Sequence, residues 1–197
     1  MQKIFKVNMS PNKYQNQDKS FPFPDLTHAL CPQCHKQHLH RHGFYRRYLI
    51  AKGFEGFILI RRYICPECGR TVSMLPWFCH PRRTYSMGFI HYSLSKFFGW
   101  SGTMTSFIRK FTVSYNISFT RQLLYQYQKR ILKNCNLILM NLIRQFHSSA
   151  PISASLDNKK RVKDALNLIE TTVLTPYSVS MDMFSHGSCT YLTLPSL

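Results

Sequence analysis

Apolar and polar positions change their period along this chain. From Leu39 to Ile50, and again from Phe54 to Ile64, aromatic and β-branched residues dominate, and Ala51-Lys52-Gly53 separates the two runs. Such runs around a glycine-containing turn predict a β-hairpin. Alternation puts Phe57, Leu59 and Arg61 on one face of the second strand and Ile58, Ile60 and Arg62 on the other. Thr71 to Leu75 adds a third short strand, which Pro76 ends.

Beyond residue 84 the spacing becomes helical. Phe89, Tyr92, Leu94, Phe97 and Phe98 mark a first helix, with Gly99 as its stop. Thr103 or Thr105 caps a second helix carrying Phe107, Ile108 and Phe111, and Tyr115-Asn116-Ile117 reads as a turn. Ser118 is the expected N-cap of a third helix, in which Leu124, Tyr127 and Ile131 follow 3–4 spacing. Cys135 to Phe146, apolar on most sides, is expected as a separate, buried fourth helix.

The expected fold class is α+β, a small three-stranded β ribbon followed by a helical, helix-turn-helix-like region. The expected domains are a flexible basic leader over 1–27, the ribbon over 28–83, the helical domain over 84–147, and a tail over 148–197. The leader is polar, and Pro22 and Pro24 favour extended backbone, so a loose arm packed by Phe21 and Phe23 is expected. In the tail, Asn158 to Glu170 can form one amphipathic helix.

Charge sharpens this picture. The chain has 197 residues, 26 Lys plus Arg and 8 Asp plus Glu, for a formal charge of +18. Residues 26–85 and 86–147 each carry +8, whereas 148–197 are neutral. No carboxylate side chain occurs between Glu67 and Asp157. So positive a chain implies a polyanionic partner. The acid gap argues against phosphoryl-transfer chemistry, which needs several carboxylates around Mg²⁺. Asp157, Asp164, Glu170 and Asp182 all lie in the last 41 residues. No enzymatic activity and no small-molecule substrate are expected.

Seven cysteines are present. An odd count argues against a full disulfide framework. Cys31-Pro-Gln-Cys34 and Cys65-Pro-Glu-Cys68 stand 30 residues apart and predict one structural Zn²⁺ held by Cys31, Cys34, Cys65 and Cys68. Gly69 suits the turn after the second pair, and His35 takes the same place after the first. His38, His40 and His42 are expected as surface groups, Cys79 and His80 as packing, and Cys135 as a core thiol. Apolar runs are too short for a spanning helix of roughly 20 residues. No membrane association and a cytoplasmic location, nucleoid-associated when DNA-bound, are therefore expected.

The segments CPQCHKQHLHRHGFYRRYLI and FEGFILIRRYICPECGRTVSMLPWFCHPRRTYS resemble an uncharacterised zinc-ribbon family associated with bacterial transposases. The resemblance covers about residues 28–90, and more weakly reaches about residue 133. It implies a ribbon followed by a helix-turn-helix-like segment that binds the ends of a DNA element.

The expected partner is nucleic acid, foremost double-stranded DNA. On the ribbon the candidate contacts are Arg41, Arg46, Arg47, Arg61, Arg62, Arg82 and Arg83, since the guanidinium fork suits phosphate and guanine. On the third helix, with Ser118 at its start, Arg121, Gln122 and Tyr125 face outward; Arg121 and Gln122 are the base-reading candidates, and Lys129 and Arg130 meet phosphates. The alternatives are a truncated or accessory transposase taking part in transposition, and an RNA-binding or protein-interaction ribbon.

Overall fold

A computed structural model describes residues 1–146 and 157–171. The chain forms two compact units, Met1–Ser86 and the residues from Met87 onward.

The first unit is built on a four-stranded sheet of order β1-β4-β3-β2. The strands are β1 (Gln2–Phe5), β2 (His40–Ala51), β3 (Phe54–Ile64) and β4 (Thr71–Pro76). The expected hairpin is present: β2 and β3 pair antiparallel, with Ala51 opposite Phe54 across a tight turn. Gly53 has φ +71° there, which a side chain would strain. A register shift between Arg41 and Phe44, with Gly43 at φ +70°, bends the start of β2. Along β3, Ile58 and Ile60 are buried while Phe57 is exposed, as the alternation predicts.

Two expectations are corrected. The sheet has four strands, not three, because β1 pairs in parallel with β4, from Gln2 opposite Ser73 to Phe5 opposite Pro76. Residues 1–27 are also not a loose arm. Ser10 caps helix α1 (Pro11–Gln17) by accepting from the Lys13 N–H, and Pro11 opens it.

The physical reason lies at the free edge of β3. β4 pairs with β3 only over Arg62–Ile64, leaving earlier carbonyls of β3 open. Side chains of α1 take them up. Tyr14 donates to the Leu59 carbonyl at 2.9 Å and Gln15 to Phe57 at 2.9 Å, while Asn12 donates to Gly53 of the β2–β3 turn at 3.2 Å. The polar residues that suggested looseness serve as an edge cover. Tyr14 is 1% exposed and packs against Phe21, Phe23 and Phe78.

The second unit contains α2 (Met87–Phe98), α3 (Met104–Tyr115), α4 (Arg121–Phe146) and α5 (Asn158–Thr171). Its core is aromatic: Phe89 meets Phe111 and Phe119, and Phe97 meets Phe107. Thr103 caps α3, and Asn116 ends it in the left-handed conformation, at φ 48°. Ser118 does not cap α4. Phe119 is drawn into the core, and the helix starts two residues later, where the Thr120 hydroxyl accepts from the Leu123 N–H. Nor do two helices follow. With no Gly or Pro across Lys133-Asn134, α4 runs unbroken for 26 residues. Leu124, Tyr127, Ile131, Cys135 and Ile138 form its buried stripe. Asp157 opens α5 by accepting from the Lys159 N–H at 2.9 Å. The tail beyond Thr171, Asp182 included, lies outside the described residues.

Tyr14→Ala should destabilise the first unit by about 3 kcal/mol, the loss typical of a buried aromatic ring. Tyr14→Phe should cost about 1 kcal/mol, the loss of one hydrogen bond. Urea denaturation of the two variants checks both values.

Candidate metal centre

The two knuckles fold by the same local rule. In the first, the Cys31 N–H donates to the Gln37 carbonyl at 2.9 Å, and the His35 N–H returns to the Cys31 carbonyl at 2.9 Å. In the second, the Cys65 N–H donates to Arg70 at 2.9 Å, and the Gly69 N–H returns to Cys65 at 3.0 Å. The turn closes in each case through a left-handed residue, His35 at φ 56° and Gly69 at φ 64°. His35 thus adopts the glycine conformation, at a steric cost that Gly69 avoids.

The hairpin brings the knuckles together. Cys31 Sγ lies 3.7 Å from Cys68 Sγ, and Cys34 Sγ lies 3.6 Å from Cys65 Sγ. All four sulfurs lie within 4.8 Å of one another. A tetrahedral shell with metal–sulfur bonds of about 2.3 Å places its sulfurs about 3.8 Å apart. The four cysteines therefore fit, and could hold, one metal ion. They are the one such group among the described residues.

Backbone donors prepare the site for thiolates. The Cys34 N–H lowers the Cys31 thiol to about 6, and the Gln33 N–H, 3.4 Å from the sulfur, adds to this. Cys68 is pushed up to about 11: the Arg70 N–H favours its thiolate, but burial and the neighbouring sulfurs outweigh that donor. Four crowded sulfurs do not ionise together without a cation. Binding must then displace protons, so affinity falls as pH falls.

Neighbouring candidates take other places. His38, His40 and His42 are exposed and are not part of the cysteine group. Cys79 and His80 are fully buried, and burial pushes the Cys79 thiol up to about 12. Cys135 is buried in the α4 stripe.

The arginines divide by role. Arg46 and Arg82 are exposed. Arg47 turns inward and donates to the His80 and Arg83 carbonyls, each at 2.6 Å, which clips the 77–86 loop to β2. Arg41 is paired with Asp25 at 2.7 Å. Arg61 lies over the Phe44 ring at 4.6 Å, and Arg62 over Tyr45 at 5.9 Å, both half-buried. Arg83 is half-buried too. On α4, Arg121, Gln122, Tyr125 and Lys129 are exposed, and Arg130 is half-buried. Gln126 and Lys133 extend the same outward stripe. Two features escaped the sequence reading. One is the internal duty of Arg47, which needs the loop's path. The other is the exposed ring pair of Tyr48 and Phe57, 5.1 Å between centroids, formed by cross-strand register.

A family profile described as a domain of unknown function (DUF6431) matches residues 31–107, from the first knuckle cysteine into α3. No curated protein matches the chain, and no solved structure matches it. Among the described residues, no helix is long and apolar enough to cross a membrane.

Metal analysis of purified protein should give about one ion per chain, and Cys65→Ser should abolish it. His35→Gly should bind the metal at least as tightly as the parent, whereas His35→Val should weaken it, because a β-branched residue resists positive φ. Competition with a chromophoric chelator reads both. Asp25 supplies a pH test. The Thr27 N–H and Arg41 hold its carboxyl well below the usual range. That stabilisation is complete above the unfolded value of about 4 and is lost as pH falls below it. Asp25→Asn should remove this contribution, so that melting temperature falls less steeply on acidification than in the parent.

Proposed function

We propose that this chain is a zinc-dependent nucleic-acid-binding protein, a transposase-related DNA-binding module that holds duplex DNA without cutting it. Four thiolates suit Zn²⁺, which accepts a closed tetrahedral shell. A shell filled by sulfur leaves no position for an activated water, which supports a structural role. The small ribbon then draws folding energy from the ion.

The observation that carries the DNA reading is the outward stripe of α4. Arg121, Gln122, Tyr125, Gln126, Lys129 and Lys133 are exposed along one side, opposite the buried stripe, and no acid occurs in the helix. Their order suits a helix whose N-terminal residues read base edges in a major groove while later cations meet phosphates. α3, the short connection and α4 follow one another as a helix-turn-helix would. The ribbon adds Arg46 and Arg82 as phosphate contacts. A second reading, RNA, draws support from Tyr48 and Phe57, which are 38% and 54% exposed beside Arg46 and offer rings on which unpaired bases stack.

Selection of bound duplex from a random pool, with zinc present, should enrich a motif. Affinity for that motif should fall steeply with salt, with a log–log slope near −0.9 for each phosphate neutralised. Arg121→Ala should weaken motif binding by about 1–3 kcal/mol and non-specific binding much less. Equal losses on both would refute base reading by Arg121, and enrichment of no motif would refute sequence-specific duplex binding.

A further inference from the structure

The second unit holds a cleft that neither the ribbon nor the outward stripe of α4 uses. Its volume is about 790 Å³, and α2, the α2–α3 loop, α3 and Asn167 of α5 line it. Tyr92, Trp100 and Phe107 supply ring surface, Lys96 and Lys110 supply charge, and among the described residues no carboxylate lines it. The volume suits a ligand of nucleotide size.

Both lysines lie over rings. Lys96 Nζ lies 5.4 Å from the Tyr92 centroid, and Lys110 Nζ lies 5.2 Å from the Trp100 centroid. Among the described residues neither makes an ion pair. Their charges stay available to an anion that enters beside the rings.

Trp100 is fixed in place. Its Nε1–H donates to the Ser106 hydroxyl at 3.2 Å, and that hydroxyl donates to the Thr103 carbonyl at 2.8 Å. Gly102 makes room for this arrangement. A Cβ there would stand 2.5 Å from Trp100 Nε1 and 2.8 Å from Ser106 Oγ. The indole is thus positioned before any ligand arrives, which lowers the ordering cost of binding.

We propose that this cleft binds an unstacked nucleotide, with the base against Trp100 and the phosphate between Lys96 and Lys110. Every base offers a π-face to an aromatic ring, and a phosphate is the anion that accompanies it. A base paired within a duplex cannot reach such a wall. The ligand is therefore a nucleotide of a single strand or a free nucleotide, and the site is separate from the duplex reading of α4.

The test uses the full chain with Trp77→Phe, so that Trp100 is the remaining tryptophan. The fluorescence titrants are single-stranded oligo(dA), dAMP and adenosine. Saturable quenching by oligo(dA) and dAMP is expected, with adenosine about tenfold weaker for want of the phosphate contact. Lys96→Gln with Lys110→Gln should weaken the two phosphate-bearing ligands about tenfold and leave adenosine unchanged. Gly102→Ala should weaken all three about tenfold, the loss of one base stack, with circular dichroism and metal content unchanged. If it perturbs folding, Trp100→Ala, read by anisotropy of labelled oligo(dA), replaces it and should give the same loss. Tighter binding of oligo(dA) than of dAMP identifies a strand as the source, and equal binding identifies a free nucleotide. Absence of saturable quenching, adenosine binding as tight as dAMP, or full affinity in a folded Gly102→Ala or Trp100→Ala variant would overturn the proposal. Arg121→Ala should leave these values unchanged, so a failure of the duplex reading would be seen separately.

Discussion

The first unit depends on four sulfurs meeting at the base of one hairpin. Cys31 faces Cys68 at 3.7 Å and Cys34 faces Cys65 at 3.6 Å, so each contact joins one knuckle to the other. Like charges at that spacing repel unless a cation or protons sit among them. An ion held among them would resolve this conflict and tie the start of β2 to the end of β3. The sheet's other supports are local: α1 along β3, β1 along β4, and Arg47 holding the loop after β4.

This division explains why the basic residues differ in kind although the sequence presents them as doublets. A strand sends neighbours to opposite sides, so Arg46 is exposed while Arg47 reaches backbone carbonyls. Arg41 spends its charge on Asp25, and Arg61 and Arg62 lie on rings. The cations free to meet a polyanion are therefore fewer than the formal charge suggests. In the second unit, α4 retains an outward basic stripe, and the α2–α3 cleft keeps two lysines that, among the described residues, have no acid partner.

The hairpin, the knuckles, the third strand and the start of the buried stripe of α4, from Leu124 to Ile131, were legible in the sequence, because each rests on a short-range period or spacing. What was not legible rests on partners distant in sequence. Asn12, Tyr14 and Gln15 look like a polar leader until their carbonyl partners on β3 and the turn before it, some 40 residues away, are known. β1 is four residues long, and its parallel pairing leaves no local signal. Residue type alone favours Ser118 over Thr120 as the cap, and burial of Phe119 decides for Thr120. The need for glycine at position 102 shows only once the indole of Trp100 is placed against it.

A metal held by the four cysteines is expected to maintain the sheet of the first unit. Backbone hydrogen exchange on the full chain, before and after chelation that demonstrably removes the ion, tests it most directly. Protection should be lost through β2, β3 and β4 and retained in α2, α3 and the first half of α4. Unchanged protection of the three strands in metal-free protein would contradict it.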